Sequence, residues 1–137
     1  MREFVLDASF ALRWCFEDEA TAETEAVLTL LQNQQGTAFV PGIWRYEMLN
    51  GLGKGVTRGR LDRNKAFSLW REIQELPVRL VDVAVDEKLL ELALQHNLAV
   101  YDASYLSLVL ARKLPIATVD GKLQQTAQSL GLAVMMP

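Results

Sequence analysis

Short apolar runs alternate with longer amphipathic segments along the chain. The runs are rich in branched and aromatic residues and are typical of buried strands: REFVLD, TAFVP, VRLVDV, PIATVD and LAVMM. Between them, apolar residues recur at helical spacing, most clearly in VDEKLLELALQHN and ASYLSLVLARK. Strands that alternate with helices favour a parallel sheet with helices on both faces. We therefore predict an α/β fold.

Glycine interrupts one of the helical patterns. Residues 51, 53 and 55 are all glycine, inside a pattern that begins just after Pro41. Each glycine costs a helix about 1 kcal/mol relative to alanine, so we expect the helix to end in this series. The segment is not a Walker phosphate loop, because Gly55 stands where Ser or Thr should follow Lys54. LAVYD, further along, is too short to assign to either structure.

Composition is that of an ordinary globular protein. The chain has 137 residues, half of them apolar, which suits a single domain over residues 1–137. Its one cysteine, Cys15, excludes an internal disulfide and is expected in the core. No apolar stretch is long enough to span a membrane, and the N-terminus lacks a signal-peptide pattern. We expect a cytoplasmic protein with no membrane association.

Charge is unevenly distributed. The whole chain carries −3, yet residues 45–79 contain eight basic and four acidic side chains and so carry +4. A basic middle segment could hold a polyanion. A solvated helical surface of mixed charge explains the same pattern equally well, and the sequence leaves both interpretations open.

Four acidic residues stand out by position: Asp7, Glu47, Asp102 and Asp120. The three aspartates each follow an apolar run, and the carboxyl ends of parallel strands meet at one edge of a sheet. Taken singly, each aspartate could instead cap the helix after it. Glu47 lies inside a predicted helix, where capping does not explain it. Its alternative is a surface glutamate near an arginine.

Polar residues accompany these acids. Ser9 lies two positions after Asp7, and Thr118 shares a strand face with Asp120. Asn50 follows Glu47 by one helical turn. Arg13, in the helix after Asp7, could reach a phosphate or pair with a carboxylate.

Converging carboxylates predict a metal site. They repel one another, so they need a divalent cation to lie close together. Two or three of them can hold Mg²⁺ or Mn²⁺ and leave positions for water and phosphate oxygens. Such an ion activates a water and neutralises charge on a reacting phosphate. The pattern therefore predicts metal-dependent chemistry at phosphate.

Four segments together resemble the PIN-domain nucleases, and more closely the VapC-type toxins of toxin–antitoxin pairs. They are FVLDASFALRW, PGIWRYEMLN, LAVYDASYLSLVLARKLPIATVD and KLQQTAQSLG. The resemblance implies an α/β/α sandwich that cleaves RNA endonucleolytically with Mg²⁺ or Mn²⁺. It also implies a small antitoxin partner and a homodimer.

The resemblance carries over to individual residues. Asp7 and Asp102 match the family's most consistent metal ligands, Glu47 its acidic helix position, and Asp120 its more variable fourth acid. The polar residues that match pocket positions are Ser9, Asn50 and Thr118.

Two other functions stay open on the sequence alone. One is a magnesium-dependent phosphatase or phospho-accepting domain, which also places Asp after a strand. The D-x-D pattern of one phosphatase class is broken by Ser9. The other is a PIN-like binding module without catalytic activity.

Overall fold

The computed structural model describes residues 1–135. The strands are β1 (Arg2–Leu6), β2 (Gly36–Val40), β3 (Val78–Leu80) and β4 (Ile116–Ala117). The helices are α1 (Ala8–Ala11), α2 (Ala22–Gln32), α3 (Ile43–Thr57), α4 (Arg63–Gln74), α5 (Glu87–His96), α6 (Val100–Arg112) and α7 (Gly121–Ser129). A 3₁₀ helix, Leu12–Cys15, follows α1 directly.

The strands form one parallel sheet in the order β3-β2-β1-β4. Phe4, Val5 and Leu6 of the central strand β1 are all fully buried. Because successive side chains of a strand point to opposite faces, both faces of the sheet must be covered. The predicted α/β fold with a parallel sheet between helices is confirmed, and free Cys15 is buried as expected.

Helix α3 continues through all three glycines, so the prediction that it ends near Gly51 is wrong. A Cβ atom on Gly51 would lie 2.6 Å from a methyl carbon of Leu12, and one on Gly55 would lie 3.0 Å from the Phe16 ring. The glycines therefore let the 3₁₀ segment pack closely against α3. Packing between elements outweighs the low intrinsic helix propensity here.

The C-terminal third contains less strand than predicted. No strand ends directly before Asp102, because α6 begins at Val100 with Ala99 as its N-cap. This corrects the expectation that Asp102 stands at a strand end. LAVMM contributes one isolated parallel bridge, Val134 with Ile116, and Met136 lies outside the described residues. Through residue 135, no helix is long and apolar enough to cross a membrane.

Candidate active site

Asp7 is the most enclosed acid of the site. It follows β1 directly and its backbone N–H donates to Ala117 O at 2.9 Å, which ties it to β4. The residue is only 4% exposed. Although Asp7 is the N-cap residue of α1, its side chain makes no capping hydrogen bond. The Ser9 backbone N–H interacts with Asp7 and lowers its pKa against the larger effect of burial, so capping is at most a minor role of this carboxylate.

Two hydroxyls hold that carboxylate. Ser9 Oγ and Thr118 Oγ1 each donate to Asp7 Oδ2 at 2.6 Å. Burial raises the pKa of Asp7, and these two hydrogen bonds oppose the rise by stabilising the charged form. The charge of Asp120 raises this pKa further. Asp7 is thus fixed in orientation while its ionised form remains costly.

The two hydroxyls also join the ends of β1 and β4. Val119 N donates to Ser9 Oγ at 3.3 Å, and Asp120 N donates to Thr118 Oγ1 at 3.0 Å. Each hydroxyl therefore accepts from the chain after β4 and donates to Asp7. The sequence-based placement of Ser9 and Thr118 beside the acids agrees with this geometry.

Glu47 reaches the site from α3. Its Oε1 accepts a hydrogen bond from the hydroxyl of Tyr105 on α6 at 2.7 Å. Neither Arg45 nor Arg58 pairs with it, since the salt bridges within residues 1–135 all involve Arg60. Burial raises the pKa of Glu47, the charges of Asp7 and Asp102 raise it further, and the Tyr105 hydrogen bond lowers it. The surface-glutamate alternative is therefore wrong.

Tyr105 is the residue that the sequence analysis missed. It is fully buried, and its oxygen accepts a long hydrogen bond from Ala8 N at 3.4 Å. Burial and the nearby carboxylates raise its pKa far above the ordinary value for tyrosine, so it stays protonated as a donor. The available signal was spacing, because Tyr105 follows Asp102 by three residues and shares its helix face.

Asp102 lies in the first turn of α6 and is partly buried. It does not cap the helix, since Ala99 occupies the N-cap position. Burial raises the pKa of Asp102, followed by the charges of Asp120 and Asp7, while Lys122 lowers it. The pKa of Asp102 therefore depends on the charges of both other aspartates.

Asp120 does cap a helix. Its Oδ1 accepts from Lys122 N at 2.9 Å and from Leu123 N at 3.1 Å at the start of α7. The capping interpretation is confirmed for this residue. Its charge nevertheless raises the pKa of both Asp7 and Asp102, so it belongs to the same cluster of carboxylates.

The two remaining candidates lie at the margin. Asn50 is exposed on α3, one turn beyond Glu47. Arg13 is in the 3₁₀ helix, and its Nη1 donates to Glu19 O at 3.4 Å. It forms no ion pair with a site carboxylate among residues 1–135.

The donor set suits a hard divalent cation. Within residues 1–135, no three His, Cys, Asp or Glu side chains are grouped closely enough to hold one ion together. Mg²⁺ usually takes one or two carboxylates and keeps several waters, so a pair of these acids is sufficient. Burial is the main cause of the raised pKa values of Asp7, Glu47 and Asp102, and repulsion between the acids adds to it. A bound cation would favour the charged forms and relieve that repulsion.

A parallel sheet with an acidic site beside the end of β1 characterises this chain, and comparison with known proteins identifies its class. The PIN domain family matches residues 4–129. The chain belongs to this family. Within it, Ribonuclease VapC9 from Mycobacterium tuberculosis is 30% identical over 128 residues, which cover 91% of each chain. The chain therefore groups with the VapC ribonucleases.

Solved structures share the fold. PAE2754 from Pyrobaculum aerophilum superposes with a TM-score of 0.69 at 21% identity, over 90% of this chain and 78% of that one. VapBC2 from Rickettsia felis, solved with a DNA fragment from its promoter, gives a TM-score of 0.66 at 13% identity and covers 97% of both chains. At these identities the likeness supports the fold alone.

Proposed function

We propose that this protein is a metal-dependent endoribonuclease whose site consists of Asp7, Glu47, Asp102 and Asp120. The observation that carries the proposal is geometric: the Asp7 carboxylate is buried at the end of β1 and held by Ser9 and Thr118. After burial, the charges of Asp120 and Asp7 raise the pKa values of neighbouring acids. VapC9 is named a ribonuclease, which supports RNA as the substrate.

Asp7 and Asp102 are the proposed ligands of Mg²⁺ or Mn²⁺, with Glu47 and Asp120 completing the acidic site. When bound, the cation would lower the pKa of a water and neutralise charge on the scissile phosphate. Ser9 and Thr118 keep the Asp7 carboxylate in one orientation by donating to the same oxygen. That preorganisation avoids reorientation during the reaction.

Glu47 is the group best suited to accept a proton. Its raised pKa lies closer to neutral pH than the pKa of an exposed glutamate, which favours general-base action. Tyr105 holds Oε1, and this leaves Oε2 to take the proton of the attacking water. Asn50, one turn along the same helix, is proposed to support the substrate at the margin of the site.

The test is cleavage of end-labelled RNA with Mg²⁺, with Mn²⁺ or with EDTA. Asp7→Asn and Asp102→Asn should each abolish cutting, and EDTA should abolish cutting by the wild type. Asp86→Asn is the matched control, because Asp86 caps α5 away from the site and Asn caps almost as well. Cutting retained by both site variants would refute the site, and a wild type inert with either metal would favour a binding module.

We further propose that residues 1–137 form one cytoplasmic domain that acts as a homodimeric toxin held by an antitoxin. The VapC ribonucleases to which the chain is similar support the toxin role, and the antitoxin partner is inferred from that role. Expression of the wild type should arrest growth, whereas Asp7→Asn should not. Light scattering of the purified protein would test the dimer, and a monomer at micromolar concentration would contradict it.

A further inference from the structure

A groove of about 330 Å³ opens between the 3₁₀ helix and α3. The glycine positions of α3 form part of its lining, because Gly51 and Gly55 allow the two elements to approach closely. Four basic side chains also line it, namely Arg13, Lys54, Arg58 and Arg60. Glu19 is its one acidic lining residue and pairs with Arg60, so the lining as a whole is cationic and favours an anionic occupant.

The groove is continuous with the carboxylate site. Ser9 lines the groove, and the same hydroxyl donates to Asp7 Oδ2 at 2.6 Å. Val119 also lines it, and its N–H donates to Ser9 Oγ. An extended anion that enters the groove therefore arrives beside the carboxylates.

The four basic residues differ in whether an acidic side chain forms an ion pair with them. Arg60 pairs with Asp18 at 2.8 Å and Glu19 at 2.9 Å, and lies 4.2 Å over the Phe16 ring. Lys54 and Arg58 are exposed and form no ion pair within residues 1–135. They are four residues apart at the end of α3, where like charges repel each other. An anion bound between them would remove that repulsion.

We propose that this groove binds an RNA backbone phosphate next to the scissile one, with Lys54 and Arg58 as its principal contacts. The inference rests on the proposed nuclease function. Four carboxylates repel a polyanion, so the substrate needs cationic contacts outside the metal site to approach it. The groove supplies them at a defined side of the site, along α3.

The size of the effect follows from counterion release. On single strands, each phosphate contact contributes about 0.7 to the slope of log affinity against log salt. Because both side chains contact one phosphate, replacing Lys54 and Arg58 by Gln should lower the slope by about 0.7 and weaken binding about fourfold at 0.15 M salt. In cleavage assays, the loss should fall on KM, since such contacts form equally in ground and transition states.

The experiment measures fluorescence anisotropy of a labelled single-stranded RNA at several salt concentrations, with EDTA present so that metal-dependent cutting is blocked. Lys54→Gln/Arg58→Gln is compared with Arg71→Gln/Lys88→Gln, which removes the same charge at exposed positions outside the groove. The proposal expects a reduced slope in the first double variant and a wild-type slope in the second.

If both double variants had the slope and the KM of the wild type, the proposed role of the groove would be overturned, and the nuclease function would be unaffected. An equal loss in both would also overturn it, because net charge alone would then explain binding. A wild type that cuts no RNA would instead refute the proposed function. Circular dichroism at each salt concentration checks that both variants remain folded.

Discussion

Replacing Tyr105 by Phe tests the hydroxyl that links α6 to Glu47. The substitution removes the short bond that this hydroxyl donates to Glu47 Oε1 at 2.7 Å and the long bond that it accepts from Ala8 N at 3.4 Å. The ring remains fully buried in α6. We expect two consequences: lower stability of the metal-free protein, and a less favourable ionisation of Glu47 that shifts the pH dependence of cleavage.

The stability loss can be estimated from the bond. A hydrogen bond to a charged group contributes roughly 1.5–3 kcal/mol. Glu47 is only half-buried, so water replaces part of the interaction, and we expect about 1.5 kcal/mol. For a chain of this length, that corresponds to a fall in Tm of about 6 °C. Because the Tyr105 hydrogen bond lowers the pKa of Glu47, its loss should move the acidic limb of the cleavage profile to higher pH.

The measurements are thermal unfolding in EDTA and single-turnover cleavage across pH. Tyr101→Phe is the matched control, since Tyr101 is on the same helix but 61% exposed. In a Glu47→Ala background, Tyr105→Phe should cost far less, because the shared bond is already absent. A Tyr105 variant with unchanged Tm and an unchanged pH profile would refute the assignment of a positioning role to this hydroxyl.

Three further outcomes are expected. Without metal, the folded protein keeps the Asp7 proton to higher pH than the unfolded chain, so the free energy of unfolding should fall as pH rises through the carboxyl range. Urea unfolding at several pH values should show a smaller fall in this free energy for Asp7→Asn. Asp120→Ala should cost about 1 kcal/mol through loss of the α7 cap, whereas Asp120→Asn keeps the cap yet still impairs cleavage; equal stability of the two in urea would contradict this. Gly53→Ala should stabilise α3 by roughly 0.5–1 kcal/mol, because nothing beyond the adjacent residues and the backbone of α3 lies within 4 Å of the added carbon. Gly51→Ala should not stabilise it, and a similar gain in Tm for both would be inconsistent with close packing against α3.

The sequence predicted those parts of the fold that depend on local pattern. Alternating apolar runs and amphipathic segments placed β1, β2 and most helices correctly, because hydrophobic periodicity reflects burial. The position of Asp7 followed from the end of β1. The end of α3 did not follow, since the contact of Gly51 with Leu12 joins segments far apart in the chain.

The four acids remain a predicted site, and the sequence did not show how they are connected. Asp102 lies in the first turn of a helix and not at the end of a strand. The sequence therefore named this residue as a candidate but assigned it to the wrong type of element. Tyr105 reads as an apolar core residue until the fold brings Glu47 of α3 to within 2.7 Å of its hydroxyl. Contacts between segments that are far apart in the chain cannot be inferred from the local sequence pattern.

The distribution of charge joins the site to the proposed groove. The ionised forms of Asp7, Glu47 and Asp102 are disfavoured first by burial and then by the charges of neighbouring acids. A cation bound by these acids would lower both the cost of ionising them and the repulsion that the acids exert on RNA. Cation and RNA should therefore bind cooperatively, and by thermodynamic reciprocity each raises the affinity of the other by the same factor. Lys54 and Arg58 act on RNA alone, so their removal should weaken RNA binding and leave the metal affinity of the free protein unchanged.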